Sequence, residues 1–139
     1  MMGLHPCSVK ENYKEELDLV DNLLIKRKFA AVGEIGLDLY WDKTFVKEHY
    51  EAFNMQMQWS LDRQMPIVIH TRNAIQETID AVKPFADKGL RGIFHCFGGK
   101  LENANEIIEM QFLLGIGGVV TYKKSGLEVV LKEIDLKHI

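Results

Sequence analysis

Three short apolar segments of this chain each lead into a residue that can bind a metal ion. Glu34 interrupts "AAVGEIG", His70 ends "PIVIH" and His95 ends "GIFH". Short apolar runs rich in valine and isoleucine are typical of strands that are buried on both faces, as in parallel sheets. The sequence therefore predicts neighbouring parallel strands that each deliver a metal-type ligand at or near their end.

Helical segments alternate with these strands. Helical spacing of apolar side chains predicts helices over about 13–28, 45–60, 74–88, 102–110 and 125–133. A fourth strand is predicted at 112–118, and "GLHP" is interpreted as the end of a fifth strand. Such alternation indicates βαβ units and a parallel sheet, in either an open doubly wound fold or a TIM-type barrel. In both folds, active sites gather at the carboxyl ends of the strands.

The composition limits the classes of protein that fit. The chain has 139 residues, of which 47% are hydrophobic, and this suffices for one core. No apolar run approaches the ~20 residues of a membrane span, so no membrane association is expected. The net charge of −3 provides no general attraction to nucleic acid. The first residues show no secretion pattern, which favours a cytoplasmic location.

The two cysteines, Cys7 and Cys96, are far apart in the sequence and are expected to be free thiols. Cys96 directly follows His95, and successive side chains of a strand point to opposite faces. The sequence therefore predicts that Cys96 lies in the core.

The candidate site residues also admit structural explanations. A single histidine at a strand end is more often a hydrogen-bonded core residue than a ligand. Glu34 differs, because burying a carboxylate without a partner costs several kcal/mol. Three donors at equivalent strand ends favour a zinc, manganese or magnesium site. Arg72 suits either a phosphate contact or a surface ion pair, and Tyr40 and Trp41 suit either base stacking or an aromatic cap.

The segments "GLHP", "AVGEIGLD", "PIVIHTRNA", "GIFHCFGG" and "FLLGIGGVVTYKKS" occur in the order and spacing of the TatD family. This family comprises metal-dependent deoxyribonucleases of the amidohydrolase-like TIM-barrel group. The resemblance covers essentially all 139 residues. It implies an α/β fold of parallel (β/α) units, with residues 1–139 forming a single partial TIM-barrel domain.

The resemblance also implies a function. DNA would be the substrate, and its phosphodiester bonds would be hydrolysed with one or two divalent metal ions (Zn, Mn or Mg). Glu34, His70 and His95 would bind the metal, and His5 would act with Glu34 in catalysis. Arg72 would assist at the phosphate of the substrate.

Two elements of the family are absent from this sequence, namely the strand with His-x-His and the strand with "ETDxP". Alternatives to a nuclease are therefore a non-catalytic barrel fragment, a hydrolase of small amide or ester substrates, or a doubly wound ligand-binding module. An incomplete barrel has open sheet edges, so a homo-oligomer is expected to cover them. The apolar side chains expected to lack partners are Val32, Ile35, Ile67, Ile69, Ile93, Phe94, Leu113 and Ile116.

Overall fold

A single sheet of parallel strands forms the centre of the protein. The computed structural model describes residues 1–40 and 43–139, so the predicted role of Trp41 falls outside the described residues. The strands are β1 (Val32–Asp38), β2 (Ile67–Arg72), β3 (Gly92–Phe94) and β4 (Leu113–Leu114). They pair in the order β1-β2-β3-β4, and all pairs are parallel. The predicted parallel sheet is confirmed, and the sequential strand order is that of a barrel wall.

A helix follows each strand, and one helix precedes the first. The helices are α1 (Tyr13–Lys26), α2 (Val46–Asp62), α3 (Ile75–Ala86), α4 (Leu101–Glu109) and α5 (Leu127–Lys132). In α1, the buried side chains recur every three or four residues, which places one apolar stripe against the sheet. Glu15 and Glu16 in the first turn of α1 and Lys26 in its last turn complement the helix dipole. The predicted helices are all present with shifted ends.

The strands differ in burial: β1 is buried along almost its whole length, as predicted, whereas β2 is deeply buried on one face alone. Along β2, buried Ile67 and Ile69 alternate with half-buried Val68 and His70. The buried face packs into one apolar cluster with the helices. The opposite face of β2 is half-buried at Val68 and His70.

Fewer apolar side chains of the sheet lack partners than the sequence predicted. Val32, Ile35, Ile67, Ile69 and Phe94 are fully buried, so the prediction that they lack partners is wrong. They point toward the helices, which already supply their partners.

The apolar side chains that remain partly uncovered lie on β3, on β4 and just after β4. Ile93 and Ile116 are half-buried, and Leu113 is 43% exposed. In a complete TIM-type barrel, helices cover the outside of the wall, and inward-pointing side chains from all the strands fill the inside.

The backbones of β1 and β2 come unusually close at Gly36. Gly36 is paired with His70 and has a φ of 144°, a conformation that side chains rarely allow. A Cβ atom built on Gly36 would lie 2.0 Å from the backbone oxygen of His70. The absence of a side chain at this position is therefore a condition for the strand pairing that positions His70.

Three predicted strands are shorter than expected. β3 ends at Phe94, so His95 lies just beyond it, and β4 comprises only Leu113–Leu114. The predicted fifth strand reduces to a bridge between Met2 and Val32, after which Pro6–Ser8 form a 3-10 helix. Two further 3-10 helices cover Gly118–Thr121 and Leu136–His138. Among the described residues, no helix combines the length and the apolar character needed to cross a membrane.

Candidate metal centre

Glu34 lies among three histidines at the carboxyl edge of the sheet. Its Oε2 atom is 3.8 Å from His5 Nε2 and 3.9 Å from His70 Nδ1. Its Oε1 atom is 3.8 Å from His95 Nε2. The structure thus brings together all four of the residues that the sequence predicted for the metal site and its catalytic histidine.

These separations suit metal ligands better than hydrogen-bonded partners. A hydrogen bond between nitrogen and oxygen spans about 2.7–3.2 Å, so none of the three contacts is one. Ligand bonds to a divalent ion such as zinc are about 2.0–2.2 Å long, so one ion can join two atoms at the observed separations. A carboxylate and imidazoles are also ligands that zinc and manganese accept. The residues present therefore fit a divalent metal ion, which Glu34, His70 and His95 would hold.

His70 is oriented by Asp38, a residue that the sequence analysis did not select. His70 Nε2 lies 2.9 Å from Asp38 Oδ2. Because a carboxylate only accepts hydrogen bonds, the ring nitrogen Nε2 carries the proton and Nδ1 presents its lone pair toward Glu34. A carboxylate behind a metal-binding histidine fixes the ring and its tautomer in this way.

Asp38 is held as a carboxylate by its hydrogen bonds. Its burial acts to raise the pKa of the carboxyl group, but bonds from the Tyr40 backbone N–H, from His70 and from the Cys7 thiol outweigh burial and lower that pKa. The side chain is 3% exposed, so its position is fixed by packing as well. The spacing of Glu34 and Asp38 in "EIGLD" could have indicated Asp38 as a site residue, because residues an even number of positions apart along a strand share a face.

The proton of His5 is also placed by a neighbour. The backbone N–H of Cys7 donates to His5 Nδ1 over 3.1 Å, so a neutral His5 carries its proton on Nε2, the atom nearest Glu34. Burial lowers the pKa of His5, and the nearby His70 ring, 4.3 Å away between centroids, lowers it further against the opposing effect of Glu34 and Asp38. His5 is therefore a neutral hydrogen-bond donor that faces the site.

A buried glutamine holds the segment that carries His5. The Gln56 side chain accepts from the backbone N–H of Leu4 over 2.6 Å and donates to the backbone oxygen of Leu4 over 3.2 Å. These two bonds satisfy the backbone N–H and C=O groups of Leu4, as pairing with a neighbouring strand would. Gln56 of α2 thus anchors the predicted "GLHP" segment beside β1.

The position of Cys96 corrects the prediction that it lies in the core. Cys96 is exposed, and its Sγ atom lies 3.2 Å from His95 Nε2. Since β3 ends at Phe94 and Cys96 has a φ of 50°, the alternation of a strand no longer applies at this position. Its thiol therefore borders the metal centre.

Arg72 lies at the end of β2, beyond His70. Its guanidinium carbon is 3.9 Å from the centre of the Tyr40 ring, and both side chains are exposed. The positive charge of Arg72 acts to lower the pKa of the Cys7 thiol, although burial and Asp38 raise that pKa overall. Arg72 is thus within electrostatic reach of the site, at its rim.

The geometry agrees with the comparison to known protein families. The family model described as TatD related DNase matches residues 1–139. The chain belongs to the TatD family. The doubly wound alternative is therefore excluded, and the predicted incomplete TIM-type barrel is confirmed.

Related TatD proteins extend beyond the matched region. A Bacillus subtilis protein named "Uncharacterized metal-dependent hydrolase YabD" is 37% identical over 135 residues, which are 96% of this chain and 52% of that protein. The Citrobacter koseri "3'-5' ssDNA/RNA exonuclease TatD" is 31% identical over 127 residues, covering 91% of this chain and 49% of that protein. The chain spans about half the length of the curated relatives it matches.

A solved structure shares this fold over the whole chain. The crystal structure of the TatD homologue YjjV from Escherichia coli aligns with a TM-score of 0.90 at 26% identity, over 99% of this chain and 54% of that protein. The four strands and their helices are thus one part of a larger TatD structure in that protein.

Proposed function

We propose that this chain supplies the metal-binding half of a TatD hydrolase that cleaves phosphodiester bonds in DNA. The observation that carries the proposal is the Glu34 carboxylate at 3.8–3.9 Å from three imidazoles. The names of its relatives support the chemistry, since one is called a metal-dependent hydrolase and another an exonuclease for single-stranded DNA and RNA.

The residues have distinct roles in this proposal. Glu34, His70 and His95 bind one or two divalent ions. A bound ion would lower the pKa of a water molecule and stabilise negative charge on the phosphate. Asp38 keeps the His70 proton on Nε2, so that Nδ1 remains available as a ligand.

His5 and Arg72 act on the substrate in this proposal. His5 presents its Nε2 proton toward the site and donates it as a hydrogen bond to a phosphate oxygen. The guanidinium group of Arg72 is stacked on Tyr40 at the rim, where it can meet a second phosphate oxygen. These roles, and a cytoplasmic location, remain predictions.

Hydrolysis of a small amide or ester substrate is the second candidate. The same ligands support it, and the net charge of −3 favours small or end-bound substrates over long duplex DNA. An exonuclease binds such an end, so charge alone does not separate the two candidates.

A chimera tests the proposal. Residues 1–139 would replace the matched region of the Bacillus subtilis relative, and the product would be assayed on single-stranded DNA, RNA, D-aminoacyl compounds and lactones. We expect release of nucleotides from DNA that requires Mg²⁺, Mn²⁺ or Zn²⁺ and is abolished by Glu34→Gln. Turnover of only the amide or lactone substrates would overturn the nuclease proposal.

A further inference from the structure

A second cluster of metal-binding groups adjoins the Glu34 centre and shares His5 and His70 with it. His5, Cys7 and His70 each offer one ligand atom, and these atoms all lie within 4.8 Å of one another. Asp38 adjoins this cluster, with Oδ2 at 2.9 Å from His70 Nε2 and 3.4 Å from Cys7 Sγ. Two imidazoles and one thiol therefore converge on a small volume, and the buried Asp38 carboxylate lies beside it.

We propose that His5, Cys7 and His70 form a second cation site, selective for thiophilic divalent ions such as Zn²⁺ and Cd²⁺. Three protein ligands with a fourth position open to water are a set that tetrahedral zinc takes. A thiolate ligand disfavours Mg²⁺ and Ca²⁺, which prefer oxygen. The Cys7 thiol is what distinguishes this site from the Glu34 centre.

The hydrogen bonds within the cluster show what an ion would replace. The Cys7 thiol and the His70 Nε2–H both donate to the same oxygen of Asp38. When a cation binds, the Cys7 proton passes to solvent and the sulfur becomes a thiolate ligand. The cation then lies beside the Asp38 carboxylate, whose negative charge favours its binding.

The site is accessible from solvent. Cys7 is exposed, and Cys7 and Asp38 both line a cavity of about 460 Å³. Asp38 itself is 3% exposed, so the carboxylate beside the site is fixed while Cys7 meets solvent.

Occupation of this second site would affect the first one. A cation held by His5, Cys7 and His70 would share the His70 ring with the Glu34 centre. The two sites then compete for His70. Thiophilic ions in excess therefore inhibit the enzyme, a consequence that rests on the proposed function.

Cadmium provides a direct probe, because a cadmium–thiolate bond has a charge-transfer band in the ultraviolet. The 139-residue chain would be titrated with Cd²⁺ and followed by absorbance and by proton release. We expect the band in the wild type and in Cys96→Ser, and its loss in Cys7→Ser. Circular dichroism would show that both variants are folded.

The two cysteine variants decide the result. An unchanged band in Cys7→Ser, or loss of the band in Cys96→Ser alone, would overturn the proposed site. Absence of a band in the wild type would overturn it as well.

A second measurement separates this site from the proposed function. In the chimera, Cys7→Ser should shift inhibition by Zn²⁺ to higher concentrations, while Cys96→Ser should not. If the chimera is inactive on every substrate but the cadmium band follows Cys7, the nuclease proposal fails and the cation site stands. If the chimera is active and Cys7→Ser leaves zinc inhibition unchanged, the inhibitory role fails.

Discussion

Asp38 and His70 are joined by a hydrogen bond of 2.9 Å between Oδ2 and Nε2, and this bond decides which nitrogen of His70 faces Glu34. The two residues lie on the neighbouring strands β1 and β2 but are not register partners, since Asp38 lies opposite Arg72 and Gly36 opposite His70. The metal centre thus depends on a carboxylate that need not touch the ion.

Replacement of Asp38 by asparagine should weaken metal binding. An amide can donate as well as accept, so His70 would no longer be held with its proton on Nε2. Partners behind metal ligands typically contribute about 10–100-fold to metal affinity or activity, and we expect a loss in this range. Calorimetry with Mn²⁺ would measure it. Asp62→Asn, an exposed change at the end of α2, is the matched control and should have no effect.

Glu34→Gln should remove most of the metal affinity of this chain. Glu34 is the group that lies within reach of all three imidazoles, and an amide carries no charge to attract a cation. We also expect the wild-type chain to bind more weakly than a full-length TatD relative, which supplies further ligands. Titration with zinc or manganese would measure both. Equal affinities of wild type and Glu34→Gln would remove Glu34 from the site.

Replacement of His70 or His95 by alanine should reduce turnover of the chimera by more than about tenfold. Residues that only hydrogen-bond to a metal ligand already contribute at least about tenfold to activity, and a ligand should contribute more. The fold should survive, because both side chains lie at the open edge of the sheet. Turnover and thermal melting would be measured together, with His138→Ala in the last 3-10 helix as the control. A collapse of the melting temperature with retained activity would favour a core role for these histidines.

Gln56→Ala should destabilise the protein through the segment that carries His5. The change leaves the buried N–H and carbonyl of Leu4 without the Gln56 side chain. An unsatisfied buried polar group costs about 1–3 kcal/mol, so a loss of that size in the free energy of unfolding is expected. Urea unfolding would measure it. Gln58→Ala removes only an exposed bond to Asp62 and should be close to neutral.

The isolated 139-residue chain should show little or no nuclease activity and should self-associate. Its sheet has an open face with Ile93 and Leu113, and strand edges that can pair with another copy. Size-exclusion chromatography with light scattering and a DNA digestion assay would test this. Leu113→Lys should reduce association, whereas Leu136→Lys, at a side chain that is 80% exposed and outside the sheet, should not. A compact monomer that cleaves DNA would contradict the prediction.

The sequence predicted Glu34, His70 and His95 because each is next to an apolar strand, and strand ends meet at one edge of a parallel sheet. It did not reveal Asp38, since spacing alone does not show which carboxylate lies behind which imidazole. Cys96 was placed wrongly because the end of β3 is set by pairing with Ile69, which an apolar run does not mark. The tautomer of His5 depends on the 3-10 turn at Pro6, a local conformation without a periodic signal.

The close approach of the two backbones at Gly36 limits which mutations this position can accept. A residue with no functional group occupies the position opposite His70, and a Cβ atom there would lie 2.0 Å from the His70 oxygen. Every mutation that adds a side chain at Gly36 would push β2 away from β1 and displace the metal ligand His70. In a saturation mutagenesis screen for activity of the chimera, Gly36 should therefore tolerate as few replacements as Glu34 itself.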